Sequence, residues 1–249
     1  MRTAAMMGEA LAVVARSLPR AWSVWLIAAL LFMATEIADM VYGGGSDAAF
    51  HLTPLTVASL AVRVFFAVFI PAAALRAMLA SRRSTWGLDK GFWLFAGVFI
   101  LLAIVSFGGA VLATLASQPL LHLAIADEHA YRVASLVLLF VYLLAGIVLT
   151  ARLALWPVSA LLGDEGASVA ASWRRMRGAV LPFLLASAVL VLPFLIAHFA
   201  LTGWLENAAM RGSMRLAWTI VDGLVSVFQV MLAMAVTAAA YRLTQAEAA

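Results

Sequence analysis

The chain contains no cysteine, so a disulfide framework, a thiolate metal site and a cysteine nucleophile are all excluded. Charge is nearly as scarce: only 11% of the residues are Asp, Glu, Lys or Arg, against 66% apolar. Such a composition lies outside the soluble globular class. The sequence lacks a Gly-x-Ser-x-Gly elbow, a His-Glu-x-x-His pair and a phosphate-binding glycine loop. No second histidine stands at the spacing that zinc or haem ligation needs, and His198 reads as a single satisfied or solvated side chain. These absences point away from catalysis and imply neither a cofactor nor a metal.

The apolar residues come in runs near the 20 required to cross a bilayer core. The expected fold is therefore all-α, a polytopic membrane helical bundle of about six transmembrane helices. The spans read as Trp22 to Tyr42, Thr56 to Leu79, Phe92 to Ala116, Val133 to Ala160, Val180 to Leu201 and Leu216 to Tyr241. At about 1.5 Å per residue each covers the roughly 30 Å hydrocarbon layer. No segment alternates with period two, which excludes a barrel.

Residues 1–20 predict an interfacial amphipathic helix, and 21–249 a single transmembrane domain. Met7, Leu11, Val14 and Leu18 recur at helical spacing, while Arg2, Glu9 and Arg16 share the opposite face, and Pro19 ends the element. Glu9 and Arg16 interrupt the apolar run, so a cleaved secretory signal is not expected.

Arginine placement orients the spans. Arg2, Arg16, Arg20, Arg82, Arg83, Lys90, Arg174, Arg175, Arg177 and Arg242 fall on one side, Arg132, Arg211 and Arg215 on the other. The positive-inside rule then places both termini in the cytoplasm, which an even number of spans also requires, and the expected location is a bacterial inner membrane. The net charge of +4 is spread in small groups beside apolar runs, a pattern suited to anionic lipid headgroups rather than nucleic acid.

Two stretches look alike once aligned on their prolines. Pro71 is followed by Trp86, Lys90 and Gly91, and Pro157 by Trp173, Arg177 and Gly178, each passing through a cytoplasmic connection into the next span. Trp86, Lys90, Trp173, Arg174, Arg175 and Arg177 are the expected interfacial, lipid-facing residues. Both copies run in the same sense, as parallel hairpin repeats rather than the inverted repeats of many transporters. Ala239, Ala240, Tyr241 and Arg242 echo Ala73, Ala74, Leu75 and Arg76.

The interfacial first helix, Leu75-Arg76, Arg152 five residues before Pro157, Ser172-Trp173-Arg174 and Arg177-Gly178 together resemble a broad group of uncharacterised bacterial six-helix membrane proteins. The loop pattern is also similar to the membrane domain that precedes some glycerophosphoryl diester phosphodiesterases. The resemblance implies a fold. No soluble domain is expected beside the spans, so the resemblance carries over no phosphodiesterase activity.

Ionisable residues within spans are functional hypotheses, because unpaired burial there costs on the order of 3 kcal/mol. Glu36 and Asp39 share one face of the first span, Arg63 lies at similar depth on the second, and Asp222 and Gln229 lie on the sixth. They predict an intramembrane polar cluster among the first, second and sixth helices. Arg76 and Arg152 read as snorkelling anchors, and Pro182 and Pro193 as kinks in the fifth span. Asp127, Glu128 and His129 read as a solvated turn.

Three functions follow: a non-catalytic protein that organises lipid or binds a membrane partner or a second copy; a small transporter or channel component using the intramembrane acids; and a lipid-modifying membrane enzyme. Ala233, Ala235, Thr237 and Ala239 on the last span favour the first by allowing close helix contact.

Overall fold

The computed structural model describes residues 2–42, 54–80, 84–125, 127–207 and 213–246, and of these the backbone alone for 35–42, 54–62, 205–207 and 213. Arg82, Arg83, Arg211, Asp47 and His51 lie outside the described residues, as do the side chains of Glu36 and Asp39. Every element among the described residues is helical. Among the described residues, four helices are long and apolar enough to cross a membrane, five if one bent pair counts as a single span. The chain is an all-α, multi-pass membrane protein. It divides into two compact units, residues 1–87 with 181–249 and residues 88–180.

In the first unit, α1 spans Thr3–Tyr42 and α2 spans Pro54–Met78. The last helix, α10, spans Ser213–Ala246. The expected stop at Pro19 does not occur, because α1 continues through it. Proline removes one backbone donor, but packing on α10 outweighs that loss. Within the chain, α1 packs through a stripe beside the predicted apolar row. Met6, Ala10, Val13, Ser17, Ala21, Val24 and Ala28 are buried, while Leu11 and Leu18 are exposed.

Small residues win this face because they let helix backbones approach, and apolar area alone gains nothing when the surroundings are lipid. The facing stripe on α10 obeys the same rule, with Ala235, Val236, Ala238, Ala239 and Ala240 all sealed from solvent. At the other end of the pair, a Cβ on Gly223 would stand 3.2 Å from Met33 Cγ.

The first turns of α1 and the last turns of α2 and α10 are tied by charge. Glu9 accepts from Arg16 at 2.6 Å and lies 3.5 Å from Arg242, which donates to the Met78 carbonyl at 3.1 Å. The echo between Ala73–Arg76 and Ala239–Arg242 thus brings two helix ends together. Glu9 and Arg242 are about a quarter to a third exposed, so a Glu9→Gln, Arg242→Gln double-mutant cycle in detergent unfolding should return a coupling of about 0.5 kcal/mol that shrinks with salt.

In the second unit, α3 (Lys90–Ala103), a π-helical turn (Ile104–Gly108) and α4 (Gly109–Ala124) form one long rod. It packs on α5 (Glu128–Leu153) and α6 (Leu155–Leu162), followed by the short α7 (Val169–Arg175). Asp127 caps α5 by accepting from Ala130 N, and Glu128 pairs with Arg132 one turn on. The predicted fifth span, which belongs to the first unit but for Val180, is α8 (Val180–Leu190) and α9 (Leu192–Asn207), bent by 42°. Pro193 lies at the break, whereas Pro182 sits in the first turn of α8, where a missing N–H costs little.

Candidate functional site

Two of the polar arrangements among the described residues bear on function: the Trp-bearing connections and a buried cluster between α9 and α10.

In the first connection, Arg76 is not a snorkelling anchor. It is 1% exposed, and its Nη1 donates to the carbonyls of Gly87 at 2.6 Å and Ser84 at 3.0 Å. A guanidinium reaches several acceptors at once, so one side chain at the end of α2 fixes the return turn. That turn carries Trp86, half-buried with its ring 5.4 Å from that of Phe69. Asp89 then caps α3 by accepting from Phe92 N, leaving Lys90 exposed at the helix start.

The second connection uses the same chemistry from the opposite side of its proline. The Arg152 guanidinium lies 5.0 Å from the centre of the Trp173 ring, and its Nη1 reaches the Trp173 carbonyl at 3.5 Å. Ser172 returns a hydrogen bond to the Arg152 carbonyl at 3.1 Å. Cation–π contact and hydrogen bonds together hold α7 against α5. Ser168 caps α7 by accepting from Ala171 N at 3.2 Å.

Arg174 and Arg177 remain exposed, whereas Arg175 turns inward to Ser159 at 3.4 Å and Asp164 at 4.0 Å. Of the predicted lipid-facing residues, Lys90, Trp173, Arg174 and Arg177 are thus exposed, and Trp86 and Arg175 are partly withdrawn.

The buried cluster forms where α9 meets α10. Asp222 is 1% exposed, and its Oδ1 lies 2.8 Å from His198 Nδ1. Thr202 donates to the other carboxylate oxygen at 3.4 Å, and Ser226 Oγ lies 3.2 Å from the same His198 nitrogen. His198 with Thr202, and Asp222 with Ser226, are each one helical turn apart, so the four side chains are two facing pairs.

A Ser-His-Asp nucleophile needs the serine and the carboxylate on different ring nitrogens. Here both converge on Nδ1, so Ser226 is not activated in this arrangement.

The first, second and last helices do pack together, but the described partner of Asp222 comes from α9. Arg63 is half-buried near the start of α2, and Gln229 is half-buried two turns beyond Asp222. The predicted Glu36 or Asp39 pairing with Arg63 lies outside the described side chains. His198, which reads from the sequence as a lone histidine, is the functional candidate that sequence reasoning misses. The signal is nonetheless there, since His198-x-x-x-Thr202 and Asp222-x-x-x-Ser226 stand in the corresponding parts of consecutive spans.

Comparison of the chain with known protein families, with curated proteins and with solved structures finds no match.

Proposed function

We propose that the chain is a six-span protein of the bacterial inner membrane with both termini in the cytoplasm, and that its work there is non-catalytic: it engages anionic lipid headgroups through its two Trp-basic connections. The observation that carries this reading is the clamp of Arg152 on Trp173. It commits one arginine inside the fold to hold α7 in place while Arg174 and Arg177 stay exposed beside the indole. Trp at headgroup depth beside exposed cations is the pairing that an anionic interface selects. Lys90 repeats the arrangement a turn after Trp86. The positive-inside count supports the orientation, and the small-residue seams support lateral contact with a membrane partner or a second copy. The likeness to the membrane domain of glycerophosphoryl diester phosphodiesterases belongs to this proposal as a fold alone.

Each basic residue near an anionic surface contributes about 1 kcal/mol, so Arg174→Gln with Arg177→Gln should weaken retention of anionic lipid roughly thirty-fold. Native mass spectrometry of the protein released from mixed phosphatidylglycerol and phosphatidylcholine nanodiscs reads this directly. Equal retention of both lipids by wild type, or an unchanged profile in the double variant, would remove the reading.

A further inference from the structure

The cluster on α9 and α10 lies apart from the connections just described and does not depend on the lipid reading. We propose that His198 and Asp222 form a proton-binding site within the membrane-embedded part of the chain, with the proton itself as ligand. Three observations carry it: the carboxylate is sealed, its closest polar partner is an imidazole, and the two differ in access. The Asp222 side chain is 2% exposed and that of His198 is 28% exposed. The acid is closed off, and the imidazole is the more open of the two.

The charge count gives the reason. With a neutral imidazole donating its Nδ1 hydrogen to Asp222 Oδ1, the pair carries one negative charge in apolar surroundings. A proton delivered by water to the other ring nitrogen converts the imidazole to imidazolium. The pair becomes neutral overall, the Nδ1 to Oδ1 hydrogen bond is kept, and no other bond forms or breaks. Thr202 and Ser226 supply polar contact in either state. A neutral structural hydrogen bond would be met by amides or hydroxyls; imidazole is the side-chain type whose ordinary charge change falls between about pH 5 and 8, and a carboxylate is the counter-charge that suits its charged form.

The other ionisable residues near the pair are placed by their position along each helix. On α10 the nearest is Arg215, two turns before Asp222, and on α9 it is Glu206, two turns beyond His198. Two further helices pack on α10. On α1, Met33 approaches Gly223, with Glu36 and Asp39 following in sequence. On α2 the nearest ionisable residue in sequence toward the same end is Arg63. The bend before Pro193 lies close in sequence to His198, so the charge change occurs on a helix that is already broken.

The test is proton uptake by the full chain in nanodiscs, measured by back-titration between about pH 8 and about pH 5. Asp222→Asn keeps all four histidines, yet it should take up about one proton fewer per chain than wild type, because imidazolium then has no counter-charge. Equal uptake by the two proteins would make His198 an independently solvated histidine and overturn the proposal. Suppression of wild-type uptake by added sodium would overturn it in favour of a sodium site. If Asp222→Asn does not fold, infrared difference spectra of wild type and His198→Gln decide the matter. Acidification should produce an imidazolium band together with a shifted carboxylate stretch, both missing from His198→Gln, and an imidazolium band without the carboxylate change would overturn the proposal.

Discussion

Gly146→Ala is expected to destabilise the folded chain by about 2–3 kcal/mol, the largest effect of any single added methyl group. A Cβ at this position would stand 2.6 Å from the Ser106 carbonyl oxygen and 3.2 Å from its carbon, both backbone atoms. Ser106 lies in the π-helical turn of residues 104–108, and its hydroxyl accepts from Thr150 Oγ1 at 2.7 Å, with Gly146 O also within reach of Thr150 at 2.9 Å. The extra residue in a π turn is what presents this backbone to α5, and glycine is what lets α5 accept it. Added bulk must separate the helices or break the Thr150 bridge.

Two other glycines set the scale. A methyl group added at Gly97 on α3 would meet nothing within 4 Å, so Gly97→Ala should be neutral or gain up to about 1 kcal/mol from helix propensity. At Gly223 the obstacle is the flexible Met33 side chain, and the expected effect is intermediate. Unfolding titrations in mixed micelles rank the three, and equal stability of Gly146→Ala and Gly97→Ala would refute the close approach.

The helical class and the approximate placement of the long apolar segments are readable from the sequence because hydropathy and period are local properties. Phe92 to Ala116 is recognisable by its own composition, whatever it packs against, and the helix there runs over Lys90–Ala124. Choice among faces of one helix is not local. Leu11 and Leu18 are the more apolar residues of α1, yet Ala10 and Ser17 are buried, because the partner stripe on α10 is built of alanines at the far end of the chain. Nothing within residues 3–18 carries that information, and the same partner explains why Pro19 does not end the helix.

The candidate site divides in the same way. Trp86 and Trp173 are legible as landmarks through their repeat about Pro71 and Pro157. The arginines that hold them are visible as residues but read as headgroup anchors, since burial of Arg76 depends on where the return turn passes. For Asp222 the sequence supplies an intramembrane acid without its partner. A histidine alone in a span reads as incidental until α9 is laid against α10 and the two one-turn pairs meet.

Arg76→Met should cost about 3 kcal/mol and should loosen the turn that carries Trp86. Methionine fills much of the arginine's volume, so cavity formation contributes little, and the loss comes from the carbonyls of Ser84 and Gly87, which both accept from Arg76 Nη1. Stranding two acceptors in a partly buried turn costs more than one ordinary hydrogen bond contributes. Arg76→Lys keeps the charge but replaces a planar fork by a single ammonium on a shorter stem, so it should recover only part of the stability. Indole emission gives an independent readout. Trp86 packs on Phe69 only while the turn is held, and its contribution, isolated by subtracting the spectrum of Trp86→Phe proteins, should shift to longer wavelength in Arg76→Met and less in Arg76→Lys. An Arg76→Met protein with wild-type stability and unmoved Trp86 emission would mean that α2 and α3 position the turn by themselves, and the buried guanidinium would then need another explanation.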